Sequence, residues 1–147
     1  MSELPIRIGF VCVENAGRSQ MAAAFAREIA RERGVRDALE IHSGGTKPAE
    51  RVHPVVIEAM AEVGIDLSGA TPSELSAAQV TELDYVITMG CSAADVCPAT
   101  WQGDSRDWEL DDPADRPLPE VRQIREQVRG RVMSLLDELV GKGDSLA

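Results

Sequence analysis

The chain has 147 residues, of which 25 are acidic and 15 are lysine or arginine, giving a formal charge of −10. Such a length builds one full hydrophobic core, so a single domain over residues 1–147 is expected. The negative charge argues against nucleic acid or an anionic membrane as partner. No apolar run approaches the ~20 residues of a membrane span, and three cysteines do not make a secreted disulfide framework. The start of the chain lacks a charged-then-apolar leader pattern, so a cytoplasmic location is the expectation.

In chain order, Ile6 to Val13 reads as a strand buried on both faces and therefore central and parallel. A helix follows from about Arg18 to Arg33, with Met21, Phe25 and Ile29 as its apolar stripe and Gly34 as its stop. Leu39 to His42 is a short second strand, and Ser43-Gly44-Gly45-Thr46 has the composition of a turn. Pro54 opens a second helix whose inner face is Val56, Met60 and Val63. Pro72-Ser73-Glu74 starts a shorter one reaching about Val80. Asp84 to Met89 is a third strand rich in β-formers, and Gly90 to Cys97 is a loop or short helix. A fourth short strand is expected at Asp107 to Leu110, then a turn at Asp111-Asp112-Pro113. Val121, Ile124, Val128, Val132, Leu135 and Leu139 step by three and four along a last helix that Gly141 closes. The tail from Lys142 to Ala147 is expected to fray. Strands alternating with helices imply a parallel sheet covered on both sides.

The chemistry concentrates between the first strand and the first helix, in Cys12-Val13-Glu14-Asn15-Ala16-Gly17-Arg18-Ser19. Loop amides and a helix N-terminus offer N–H groups and positive potential to a tetrahedral oxyanion. Arg18 can clamp two of its oxygens with a planar fork. The same field favours a thiolate at Cys12, and the thiolate is the nucleophile. No Gly-Lys-Ser/Thr follows, so this is not a nucleotide P-loop. Such a loop sits at the C-terminal edge of its strand, where open α/β sheets bind ligands. His42 and His53 lack a metal-ligand pattern, and no metal site is expected.

Phe10-Val11-Cys12 through Gln20-Met21-Ala22, Ser43-Gly44-Gly45-Thr46, Val86-Ile87-Thr88-Met89, Cys91, Cys97-Pro98 and Asp112-Pro113 together resemble the low-molecular-weight protein-tyrosine-phosphatase superfamily. Asn15 to Met21 is more typical of its thiol-dependent arsenate reductases; the phosphatases usually carry proline where Gln20 stands. The resemblance implies an α/β, flavodoxin-like three-layer fold, with a four-stranded parallel sheet in the order 2-1-3-4 and helices on both faces. It makes Cys12 the nucleophile, Arg18 the clamp on the oxyanion and Asp112 the general acid, with Asp111 as a competing candidate. Residues Val13 to Arg18 would form the oxyanion loop, and Asn15, Ser19 and Ser43 would support it by hydrogen bonds.

By the same resemblance, Cys12 attacks arsenate, Cys91 takes over the oxidation as a Cys12–Cys91 disulfide, and Cys97 passes it to a Cys91–Cys97 disulfide. The implied partners are an arsenate or phosphate oxyanion and a thioredoxin-like reductant or a low-molecular-weight thiol, with no bound cofactor and a monomeric chain. If residues 91 to 97 were one regular helix, the two Cα atoms would stand ~9 Å apart along its axis. A disulfide needs about 4.4–6.8 Å, so this segment has to loop or unwind.

Three positions depart from the family pattern. The distal cysteines are one residue closer than in many thioredoxin-linked reductases. Gly17 stands where many relatives carry a second loop cysteine. Ala23 replaces the acidic residue through which some relatives bind potassium, so no specific potassium site is expected. The competing functions are a protein-tyrosine phosphatase using a cysteinyl-phosphate, a mycothiol-type arsenate transferase, and an oxyanion-binding or redox-sensing module without turnover.

Overall fold

The structure, a computed structural model, describes residues 5–141; the expected fraying of the tail lies outside them. A central parallel sheet runs in the order β2-β1-β3-β4, built from β1 (Ile6–Cys12), β2 (Leu39–Gly45), β3 (Tyr85–Met89) and β4 (Asp104–Asp107). The helices are α1 (Arg18–Glu32), α2 (Pro54–Ala61), α3 (Ala77–Thr81), α4 (Ala93–Val96) and α5 (Leu118–Val140). This is the doubly covered α/β sheet in the strand order that the family resemblance implies.

Alternation along β1 divides the core. Ile8, Phe10 and Cys12 face α1, α2 and α5, where Met21, Phe25, Met60, Val128 and Leu136 complete the main cluster. Val11 faces the other way and joins Val80, Leu83 and Val86 in a smaller cluster, against which Leu75, Cys91, Val96, Cys97 and Trp101 pack. In the register, Cys12 stands beside Gly45 on β2 and Met89 on β3. The C-terminal ends of three strands therefore converge on the cysteine.

The structure moves four of the expected elements. β2 continues through Ser43-Gly44-Gly45 instead of turning there. Gly45 is present for close approach: a Cβ would lie 2.5 Å from the Val13 carbonyl oxygen and 2.9 Å from the Asn15 nitrogen. α2 ends at Ala61, which leaves Val63 off its inner face and 38% exposed. The third helix begins only after Ser76, whose side chain and Gln79 form a reciprocal capping box; residue 73 is held outside the helix by backbone pairing to β2. β4 is Asp104–Asp107 and not the expected Asp107–Leu110. A short charged strand at a sheet edge carries no apolar alternation, and its charges discourage edge-to-edge pairing. Trp108 follows it, buried, with its ring 5.9 Å from that of Phe10.

Candidate active site

The loop from Cys12 to Gly17 is fixed by where its carbonyls go. Those of Cys12, Val13, Glu14 and Ala16 accept from the N–H groups of Thr46, Lys47, Ala49 and His53 at 2.7 to 3.1 Å. The Asn15 carbonyl accepts from Gln20 Nε2 at 3.1 Å. In a trans peptide the following N–H points opposite to the carbonyl. The outward carbonyls thus turn the amides that follow them, Val13 to Gly17, toward the hollow of the loop. The Asn15 N–H does reach the Cys12 sulfur there, at 3.2 Å. The N-terminus of the 15-residue α1 opens on the same hollow, adding its dipole.

Asn15 is the keystone of this loop. It is fully buried with φ +51°, a left-handed conformation that asparagine tolerates better than most residues. Its Oδ1 accepts from Ser73 N–H at 3.0 Å and from Gln20 Nε2 at 3.1 Å. That fixes the amide so that Nδ2 donates to Ser19 Oγ at 2.7 Å. Ser19 Oγ also lies 2.9 Å from the Cys12 sulfur, and toward a thiolate there only the hydroxyl can donate.

Arg18 is clamped at the rim. Nη1 donates to the Leu110 carbonyl at 3.0 Å and Nη2 pairs with Asp112 Oδ2 at 3.7 Å. Gly90, at φ +83°, lies against the guanidinium, and a Cβ there would come within 2.8 Å of Nη2. Asp112 also accepts from Ala114 N–H through Oδ1 at 3.0 Å, the local turn expected before proline. Asp111 lines a neighbouring cleft of about 660 Å³ with Gly90, Cys91, Trp108, Leu110 and Gln127. Of the two aspartates, Asp112 is the one ion-paired to Arg18.

All three cysteines are free thiols. The Cys91 sulfur lies 3.7 Å from the carbonyl oxygen of Val11, the residue before Cys12. Burial pushes the Cys91 thiol up, and the nearby Cys12, Asp95 and Asp107 push the same way against a backbone hydrogen bond at Met89. Burial likewise raises Cys97. The segment between them holds a single four-residue turn of helix, α4, pinned by Ser92 and Asp95; residues 91 to 97 are not one regular helix.

The structure thus gathers Cys12, Asn15, Arg18, Ser19, Cys91 and Asp112 at one end of the sheet. Ser43 lies beside Phe10 in β2, and among the described residues its side chain makes no hydrogen bond to the loop. Gln20, the backbone of Ser73, Gly90 and the Leu110 carbonyl are supports that sequence reading did not assign. A larger cavity of about 790 Å³ lies between α1 and residues 64–70, away from Cys12, and the guanidinium of its Arg27 is spent on the Ile41 carbonyl at 3.2 Å. Among the described residues no cluster of three or more His, Cys, Asp or Glu could hold a metal ion, and no helix is long and apolar enough to cross a membrane.

A cysteine in a tight loop, an arginine six positions on and an aspartate from a distant turn come together at the C-terminal edge of a parallel sheet. The chain belongs to the low molecular weight phosphotyrosine protein phosphatase family, whose model matches residues 7–145. Within the family it is similar to arsenate reductases. A candidate arsenate reductase of Halobacterium salinarum is 48% identical over 132 residues, covering 90% of this chain and 92% of that one. The thioredoxin-dependent arsenate reductase Cg_ArsC1' of Corynebacterium glutamicum superposes with a TM-score of 0.74 at 36% identity, over 94% of this chain and 63% of that one. A low molecular weight phosphotyrosine phosphatase of Vibrio cholerae shares the fold, with a TM-score of 0.82 at 19% identity, over 94% of this chain and 99% of that one.

Proposed function

We propose that the chain reduces arsenate to arsenite through Cys12, Cys91 and Cys97. In the first step the Cys12 thiolate attacks arsenic and a sulfur–arsenic bond forms. An arsenate hydroxyl leaves as water on taking the Asp112 proton, while Arg18 and the loop amides hold the remaining oxygens. In the second step the Cys91 thiolate attacks the Cys12 sulfur. The sulfur–arsenic electron pair stays on arsenic, which falls from As(V) to As(III) and leaves as arsenite, and a Cys12–Cys91 disulfide remains. Cys97 then attacks Cys91, freeing Cys12 and leaving a Cys91–Cys97 disulfide for a thioredoxin-like dithiol to reduce.

The observation that carries this reading is the place of Cys91, whose sulfur touches the backbone of the residue next to the nucleophile. A phosphatase acting by attack and hydrolysis has no use for a second thiol there. Cys97 packs on the same small cluster as Cys91, and the single turn of α4 leaves that segment short of the rigid spacing that would forbid a disulfide. Burial raises the Cys91 thiol, so its thiolate forms less readily than that of an exposed cysteine.

Arsenate-dependent NADPH consumption with thioredoxin and thioredoxin reductase, beside aryl-phosphate hydrolysis, tests the proposal. Cys91→Ser is expected to abolish reduction while sparing any phosphate-ester hydrolysis. Turnover that survives both Cys91→Ser and Cys97→Ser would contradict the internal relay.

A further inference from the structure

One feature of the loop runs against its chemistry: Glu14, its third residue, places a carboxylate on a segment built to hold an anion. The side chain is about half exposed, and its Oε1 lies 3.4 Å from Nε2 of His53. The imidazole is mostly covered, at 23% side-chain exposure. Two further contacts hold His53 against the loop. Its backbone N–H donates to the Ala16 carbonyl at 3.0 Å. Its Cδ2 stands over Gly17, where a Cβ would lie 3.6 Å from it and 2.7 Å from Pro113 Cγ. His53 is therefore wedged between the oxyanion loop and the turn that carries Asp112. Glu14 on the loop is the carboxylate paired with it, and beyond Pro113 come Asp112 and its partner Arg18.

We infer that His53 is a positioning residue for oxyanion capture, holding the Glu14 carboxylate at the rim and offsetting its charge when protonated. This rests on the oxyanion-loop reading above and adds to it the control of affinity. Glu14 is a residue of the loop itself, and charges within about one Debye length, ~8 Å, of each other are only partly screened. At that range its charge opposes binding unless a cation faces it. A protonated imidazole is such a cation, and histidine is the side chain that gains or loses charge near neutrality. The His53–Glu14 pair then sets how strongly the loop's own carboxylate opposes an anion.

The test is binding of inorganic phosphate to the full chain by calorimetry, at about pH 6 and about pH 8.5, on either side of the range where histidines titrate. The wild type, His53→Ala, His53→Gln, Glu14→Gln and the Glu14→Gln/His53→Ala double variant are compared at each pH. At the lower pH, His53→Ala and His53→Gln are each expected to weaken binding about threefold, the scale of a partly exposed charge pair. In the Glu14→Gln background the His53 substitution is expected to change nothing. At the higher pH, Glu14→Gln alone is expected to tighten binding by a similar factor. Phosphate binding that His53 substitutions leave unchanged, or weaken equally with and without Glu14, would overturn the inference and leave the loop reading intact. A wild type that binds no phosphate would overturn both.

Discussion

In the proposed mechanism Ser19 sets how Cys12 is held. Its oxygen accepts from Asn15 and lies 2.9 Å from the Cys12 sulfur, so once that sulfur is the thiolate the proposed mechanism requires, removing the hydroxyl takes a hydrogen bond from it. Hydrogen bonds to charged groups contribute about 1.5–3 kcal/mol. In a Cys91→Ser/Cys97→Ser background, Ser19→Ala is accordingly expected to slow alkylation of Cys12 by iodoacetamide roughly tenfold to a hundredfold. Circular dichroism would confirm that the variant stays folded, and an unchanged alkylation rate would show that the hydroxyl does not serve the sulfur. At this scale the sequence was legible where the site is local. Cys12, Asn15, Arg18 and Ser19 sit within one turn and the next helix start, and their types and spacing announce anion chemistry. The contacts that lock them were not legible, because the Ser73–Asn15 and Leu110–Arg18 bonds join residues 58 and 92 positions apart. Gly90 illustrates the point: its need to admit the Arg18 guanidinium leaves no local mark beyond a glycine after a strand.

Among the elements, the long α5 was the easiest to see, since its apolar seam repeats over six turns; five residues of the stripe are buried, Leu139 is partly so, and Leu136 beside them is buried too. The edge strand β4 was the hardest, since a four-residue Asp-Ser-Arg-Asp segment has no periodicity to detect. The glycines at the end of β2 read as a turn because small residues serve both turns and close backbone contacts, and only the neighbouring loop decides between them. The end of α2 is tied to α5 by Glu62, which accepts from Arg122 Nη2 at 2.6 Å and from Arg125 Nη1 at 2.8 Å. Hydrogen bonds from Arg122 and then Arg125 pull its carboxyl down to about 2, below the usual value of about 4.3. The folded state therefore binds this proton less readily than the unfolded chain. The stabilisation is in full force above about pH 4.5 and is lost as the pH falls through about 2. The melting temperature of the wild type is expected to exceed that of Glu62→Gln by a margin that is constant near neutrality and closes across that acid window. The margin is small because the pair is exposed and screened, and one that grew on acidification would refute the assignment.

At the scale of the whole molecule, the proposed function asks a chain of formal charge −10 to hold an anion, which a local positive potential allows. It comes from backbone amides turned inward by outward carbonyls, from one helix end and from Arg18. Net charge predicts what the surface repels, and it says little about a hollow lined by peptide dipoles. The sheet supplies the rest. Its parallel order brings Cys12 and Met89 side by side, and two residues past Met89 comes Cys91. Two thiols almost eighty residues apart in the chain thus lie at adjacent strand ends, the Cys91 sulfur 3.7 Å from the carbonyl oxygen of Val11. The strand pattern indicated the fold class and the motifs indicated the strand order, whereas the closeness of these two residues needed the folded sheet.

Mapping disulfides by mass spectrometry after a single turnover with arsenate, with free thiols trapped by alkylation, tests the central claim most directly. The account predicts a Cys91–Cys97 disulfide in the wild type and a Cys12–Cys91 disulfide in Cys97→Ser. Arsenite released while Cys91 remains a free thiol in both proteins would contradict it.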